Sequence, residues 1–201
     1  MKKGDRELTK SDPSSTKKER NKTVRWVIII FLVTIFISAV ISFASTELMS
    51  DSSMTVAFII LLFIILLGIL FDVIGVAVTS ADERPFHSMA AHKVNGAQEA
   101  IKLLRNTEKV STICNDVIGD VCGVVSGSAS AAIAAQVLAK ADFTSADMVT
   151  LLMSALVAGL TVGGKAIGKV FAVHSCTKIV EKTGKVIWMF GNVFRVFQKK
   201  K

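Results

Sequence analysis

Apolar and polar positions divide this chain into long blocks rather than short alternations. Residues 1–24 are polar, rich in Lys and Ser, and include Pro13. A stretch of that composition buries too little apolar surface to order itself, so a disordered basic cytoplasmic tail is expected there. Trp26 to Ala44 is then apolar and free of charge, long enough as a helix to cross a hydrocarbon core of about 30 Å. A cleaved signal peptide is the rival reading. Its apolar core runs to only ~7–15 residues, so an extra N-terminal transmembrane helix over 25–46 is expected instead.

Three more blocks of the same kind follow, from about Thr55 to Val78, Val110 to Leu138 and Ala146 to Val173. They place a membrane domain over 54–175. Between the second and third blocks lies an arm, 80–109, with helical signals of its own. Ser80-x-x-Glu83 reads as a capping box, Asn95-Gly96 breaks the chain, and Ala97, Ala100, Ile101 and Leu104 recur at i, i+3, i+4 and i+7. In the last segment, 176–201, Val186, Phe190, Val193 and Phe197 share a helical face with basic residues around it, the pattern of an interfacial helix. The fold class expected is an all-α integral membrane protein, a four-span helical bundle with juxtamembrane amphipathic helices.

Charge sets the orientation. The chain is 51% hydrophobic yet carries a net charge of +8, and its Lys and Arg residues concentrate at or before Arg25 and at or after Lys178. Basic ends around apolar blocks indicate a membrane protein whose ends meet anionic lipid, not a nucleic-acid binder. The arm holds Arg84, Lys93, Lys102, Arg105 and Lys109, whereas 46–54 holds Glu47 and Asp51 and no cation. By the positive-inside rule both termini are cytoplasmic, in the cell membrane. Cys114, Cys122 and Cys176 form no disulfide or zinc pattern and read as small apolar fillers. His87, His92 and His174 are isolated, and a solvated role is expected for each. With no Tyr, no nucleophile–base pair and no phosphate loop, an enzyme is not expected.

Five ionisable residues interrupt the apolar blocks: Asp72, Asp116, Asp120, Lys165 and Lys169. In hydrocarbon such groups are paired or functional. The orientation puts all five at a similar depth in the cytoplasmic half. Asp116/Asp120 and Lys165/Lys169 are both i, i+4 pairs, so two adjacent helices could form a two-rung ladder and leave Asp72 over. One reading is a ladder that only joins helices, or lysines that snorkel to the interface. The other is a cation site. Gly119, Gly123 and Gly127, with Gly159, Gly163, Gly164 and Gly168, predict close helix packing, with the third and fourth spans at the centre of the bundle and the first two outside.

One stretch carries more than composition. Residues 71–113, FDVIGVAVTSADERPFHSMAAHKVNGAQEAIKLLRNTEKVSTI, resemble the membrane domain of the cyclin-M/CorC (CorB-like) magnesium transporter family. There a helix ends in a pattern like FSxSExALTS, and an arm follows with a Gly-Ala-x-x-Ala-x-x-Leu-Leu-x-Asn-like run before a Ser-Thr-Ile helix start. The arm here has Asn95-Gly96-Ala97, Ala100, Leu103-Leu104 and Asn106, then Ser111-Thr112-Ile113. More weakly, the resemblance extends to about residue 190, where Gly164-Lys165-Ala166-Ile167-Gly168-Lys169 stands at the family's Gly-Glu-x-x-Pro-Lys.

The resemblance implies a homodimer and a site for dehydrated Mg2+ near Asp72, Asn115, Asp116 and Asp120. Asp72 falls at the family's magnesium-binding serine. The departures are Gly75 for a glutamate, Lys165 for the third-helix glutamate and Gly168 for its proline. The regulatory nucleotide-binding domains of the family are expected to be absent. Two functions follow: a magnesium or other divalent-cation transporter, or a non-transporting scaffold or regulatory subunit with Lys165 as a tethered cation in the ion site.

Overall fold

The computed structural model describes residues 13–50, 53–140 and 146–198, with side chains over 23–48, 53–138 and 148–192. The tail before Pro13, residues 51–52 and 141–145 of the expected outer loops, residues 199–201 and the side chains of Val193 and Phe197 lie outside the described residues. Every regular element described is a helix: α1 Pro13–Ser50, α2 Met54–Ser80, α3 Arg84–Ala91, α4 Ala97–Arg105, α5 Thr107–Ser111, a π-helical stretch Thr112–Gly119, α6 Asp120–Lys140, α7 Ala146–His174 and α8 Cys176–Gln198. Among the described residues four helical segments are long and apolar enough to cross a membrane: Thr23–Leu48, Met54–Ser80, Thr107–Leu138 and Met148–His174.

Helix α1 starts at Pro13, so half of the tail expected to lack order is helical. Once the apolar segment after Trp26 forms a helix, each preceding residue adds a hydrogen bond without a new nucleus. Its long apolar face is otherwise bare, with Phe31, Phe36 and Phe43 among the exposed side chains. Only Ile37 and Ile41 reach a packed cluster, that of Ile64, Val121, Cys122 and Val125. The first span is peripheral, as expected.

The second span is not. Helix α2 is the hub of the bundle, touching α6, α7, α8, α1 and the π-helical stretch. It buries Ala57, Leu61, Ile65, Gly68, Asp72, Gly75 and Val78 along its length. At its outer part Ala57, Leu61 and Ile65 meet Ala129 and Ile133 of α6 and Val157 of α7. The reversal has a steric cause. A Cβ on Gly68 would lie 2.8 Å from the Cβ of Cys122, so α6 rests directly on the α2 backbone there. Of the glycines expected to pack closely, Gly119, Gly164 and Gly168 face near neighbours, whereas Gly123, Gly127, Gly159 and Gly163 have no atom within 4 Å of an added Cβ among the described residues. Spacing put these four on faces that no described residue approaches closely.

The arm folds against the end of the bundle. The proposed capping box does not form: Ser80 closes α2, and Glu83 precedes α3 with no side-chain cap. Instead the Arg84 N–H donates to Asp82 Oδ1 at 3.1 Å, and Pro85 enters the first turn, where its missing N–H is no loss. Glu83 takes another role, meeting His87 Nε2 at 3.2 Å and Arg105 Nε at 3.9 Å. His87 is therefore partnered, not isolated. The stripe on α4 behaves as its period predicts. Ala100 and Leu104 pack with Ala77 and Val78 of α2, Phe86 of α3, Ala172 of α7 and Val180 of α8.

That cluster draws α8 into the bundle beside α4, at a crossing only glycine permits. Gly96 sits at φ 87°, and a Cβ on Gly184 would lie 2.5 Å from the Gly96 carbonyl oxygen. Gly184→Ala is therefore expected to cost about 1–3 kcal/mol, the usual range for overpacking. Gly127→Ala should stay within about 0.5 kcal/mol. Thermal unfolding in detergent compares the two, and equal shifts would contradict the close α4–α8 crossing.

Candidate functional site

Asp72 lies two turns before the end of α2, on the face that receives α6 and α7, and its side chain is only 4% exposed. A carboxylate so buried needs a counter-charge. Lys169 of α7 supplies it, with Nζ 3.7 Å from Asp72 Oδ2. One turn away on the same helix, Lys165 Nζ donates to Asp120 Oδ1 of α6 at 3.3 Å. The two lysines thus hold α7 to both of its neighbours, one rung to each.

This differs from the expected ladder. Asp116 is exposed and has no ion-pair partner among the described residues, while Asp72, expected to be left over, is paired. Asp116 lies within the π-helical stretch Thr112–Gly119 and Asp120 just after it, and of the two only Asp120 reaches a lysine among the described residues. No sequence period announces such a stretch.

Asn115, in the middle of that stretch, leans directly over α2. A Cβ at Gly75 would lie 2.0 Å from Asn115 Oδ1, so the amide occupies the space a side chain at 75 would fill. Its Nδ2 donates to Ser111 Oγ at 3.2 Å. Both Asn115 Oδ1 and Asp72 Oδ2 are buried without a hydrogen-bond donor. Gly119 marks the space between the charges: a Cβ there would be 3.5 Å from Lys165 Nζ and 3.9 Å from Asp72 Oδ1. Gly164 and Gly168 let α7 come in closely enough to place both lysines, since Cβ atoms there would meet Ile69 and Val73 of α2 at 2.3 and 2.7 Å. Close packing was expected of Gly119, Gly164 and Gly168 from their spacing; that the Asn115 amide fills the space at Gly75 was not.

The four residues expected to hold a metal therefore do not act as one set. Asp72 and Asn115 face the buried space, Asp120 stands at its rim and Asp116 points elsewhere. Among the described residues no group of three or more His, Cys, Asp or Glu side chains comes together. Cys114 and Cys122 are buried as free thiols and Cys176 is partly buried, with no disulfide among them. Comparison with protein-family models, curated proteins and solved structures finds no match for the chain.

The two ion pairs are unequal, and exposure decides how. Lys169→Met strands a carboxylate 4% exposed, whereas Lys165→Met strands one that is 72% exposed. The first is expected to destabilise by about 3–5 kcal/mol and the second by no more than about 1 kcal/mol. Adding Asp72→Leu to Lys169→Met should recover most of the loss. Unfolding titrations in mixed detergent measure all three. Equal losses for the two lysine variants would contradict the assignment of Asp72 to Lys169.

Proposed function

We propose that the chain is an integral membrane protein of the cell membrane, crossing it four times with both termini cytoplasmic, whose ion site holds its own ammonium groups in place of a transported cation. It serves as a non-transporting scaffold or regulatory subunit and, following the resemblance, assembles as a homodimer. One observation carries this reading. Asp72, at the position of the magnesium-binding serine in the resembling family, has Lys169 Nζ at 3.7 Å, and the neighbouring Asp120 has Lys165 Nζ at 3.3 Å.

The argument is electrostatic. An ammonium about 4 Å from a divalent ion opposes it by about 8 kcal/mol at an effective dielectric near 20, which cancels the attraction of a carboxylate at the same distance. Magnesium also requires near-octahedral oxygens with one or two carboxylates and retained water. Here each of the two nearest carboxylates already has a lysine. The four apolar segments and the basic arm support the membrane placement.

A divalent-cation transporter, with magnesium as its cargo, is the second reading, favoured by a different observation. Asp72 Oδ2 and Asn115 Oδ1 are buried acceptors without donors, the kind of oxygen a dehydrated cation satisfies. In that reading Lys165 and Lys169 leave the site when the ion enters.

Isothermal titration of the purified full chain with magnesium separates the two. The wild type is expected to show no saturable binding, and Lys165→Glu combined with Lys169→Gln to create it. Tight wild-type binding that Asp72→Ala abolishes would contradict the tethered-ammonium reading and support transport.

A further inference from the structure

The stretch of α1 over 23–29 and the short helix α5 enclose an open cavity of about 430 Å³, lined by Thr23, Arg25, Trp26, Ile29, Glu108 and Lys109. Nothing in the ion-pair site above involves it. The Lys109 ammonium lies 5.4 Å from the Trp26 ring centroid, over its face. That contact holds a cation at the cavity mouth without neutralising it. Neither Arg25 nor Lys109 has a carboxylate within ion-pairing distance among the described residues, although Arg84, Lys102, Arg105 and Lys185 do.

The position of the cavity is as telling as its charges. Thr23 opens the first apolar segment and Thr107 the third, so the cavity lies where two candidate spans leave the hydrocarbon on the same end of the bundle. Headgroup phosphates stand at that level, and Trp is the side chain that prefers it. Ile29 lies one turn deeper on α1, next to exposed Ile28 and Leu32, an apolar continuation suited to an acyl chain.

We propose that this cavity binds the headgroup of an anionic phospholipid, with its phosphate between Arg25 and Lys109, its glycerol region against Trp26 and one acyl chain along Ile29. The fork of Arg25 can take two phosphate oxygens while Lys109 acts as a point charge. This is a defined site on the protein, distinct from the general attraction of its basic ends to a charged bilayer. It rests on the four-span membrane reading, not on any ion-site function.

Trp26 reports directly on its occupant. With Trp188→Phe, Trp26 is the sole tryptophan, and its fluorescence can be followed in phosphatidylcholine vesicles containing an equal mole fraction of brominated phosphatidylcholine or brominated phosphatidylglycerol. The brominated anionic lipid is expected to associate more strongly, by about five-fold for each cation facing it. Arg25→Gln with Lys109→Gln should remove the preference, and Arg25→Lys with Lys109→Arg should keep most of it. Lys178→Gln with Lys182→Gln, an equal loss of charge on α8, should leave it unchanged. Equal quenching by both lipids, or a preference lost equally in the α8 variant, would overturn the site while leaving the membrane reading intact. Loss of the preference in excess inorganic phosphate would assign the cavity to a free anion and likewise overturn the lipid. Quenching by neither lipid would overturn the site and the membrane placement together.

Discussion

A carboxylate almost out of reach of solvent sits on the helix that the rest of the bundle touches, and the packing around it follows from that fact. Asp72 is flanked on α2 by apolar side chains and by glycines that admit neighbouring backbones. An ionised group in such a place is tolerated only beside an opposite charge. The charge comes from α7, which Gly164 and Gly168 also seat closely on Ile69 and Val73 of α2. The contact with Lys169 fixes α7 on α2, and Lys165, one turn earlier, fixes it on α6.

The π-helical stretch completes the arrangement. Over Thr112–Gly119 Asp116 faces outward and Asn115 lies against Gly75, while Asp120, just beyond the stretch, stands at the rim. Such stretches recur at functional sites because they re-aim side chains that a regular helix would place elsewhere. Here the result is a closed charge balance of two acids with two lysines, together with two buried oxygens still without donors. That residue of unsatisfied polarity keeps cation transport in view as the competing account.

Much of the fold was legible because it depends on composition. Four apolar blocks, a basic arm and the stripe Ala97, Ala100, Ile101 and Leu104 are local patterns with a single physical reading. The convergence of charges was legible too, since the ends of the blocks set a depth for each charged residue. What was not legible depends on partners. Gly123 and Gly127 have the same spacing as glycines that pack, yet an added Cβ on either meets nothing among the described residues, whereas Gly68, Gly75, Gly119, Gly164 and Gly168 all face close neighbours. Spacing places residues on one face without saying what that face meets. The pairing of Asp72 was not legible because it depends on how α7 sits between its neighbours, with Lys169 on α2 and Lys165 on α6. The displaced capping box is a smaller case: Glu83 serves the arm through His87 and Arg105, contacts made across space.

The central claim is that Lys169 neutralises Asp72 inside the bundle rather than reaching out to the membrane surface, as long lysine side chains commonly do. Solid-state NMR in bilayers tests this directly, through the dipolar coupling between a 15N label at Lys169 Nζ and a 13C label at Asp72 Cγ. The account predicts a clear coupling, consistent with the 3.7 Å separation of Nζ from Oδ2. Loss of that coupling in Lys169→Arg would leave the claim standing, because the label itself is removed. No measurable coupling in the wild type would place the lysine elsewhere and contradict the account.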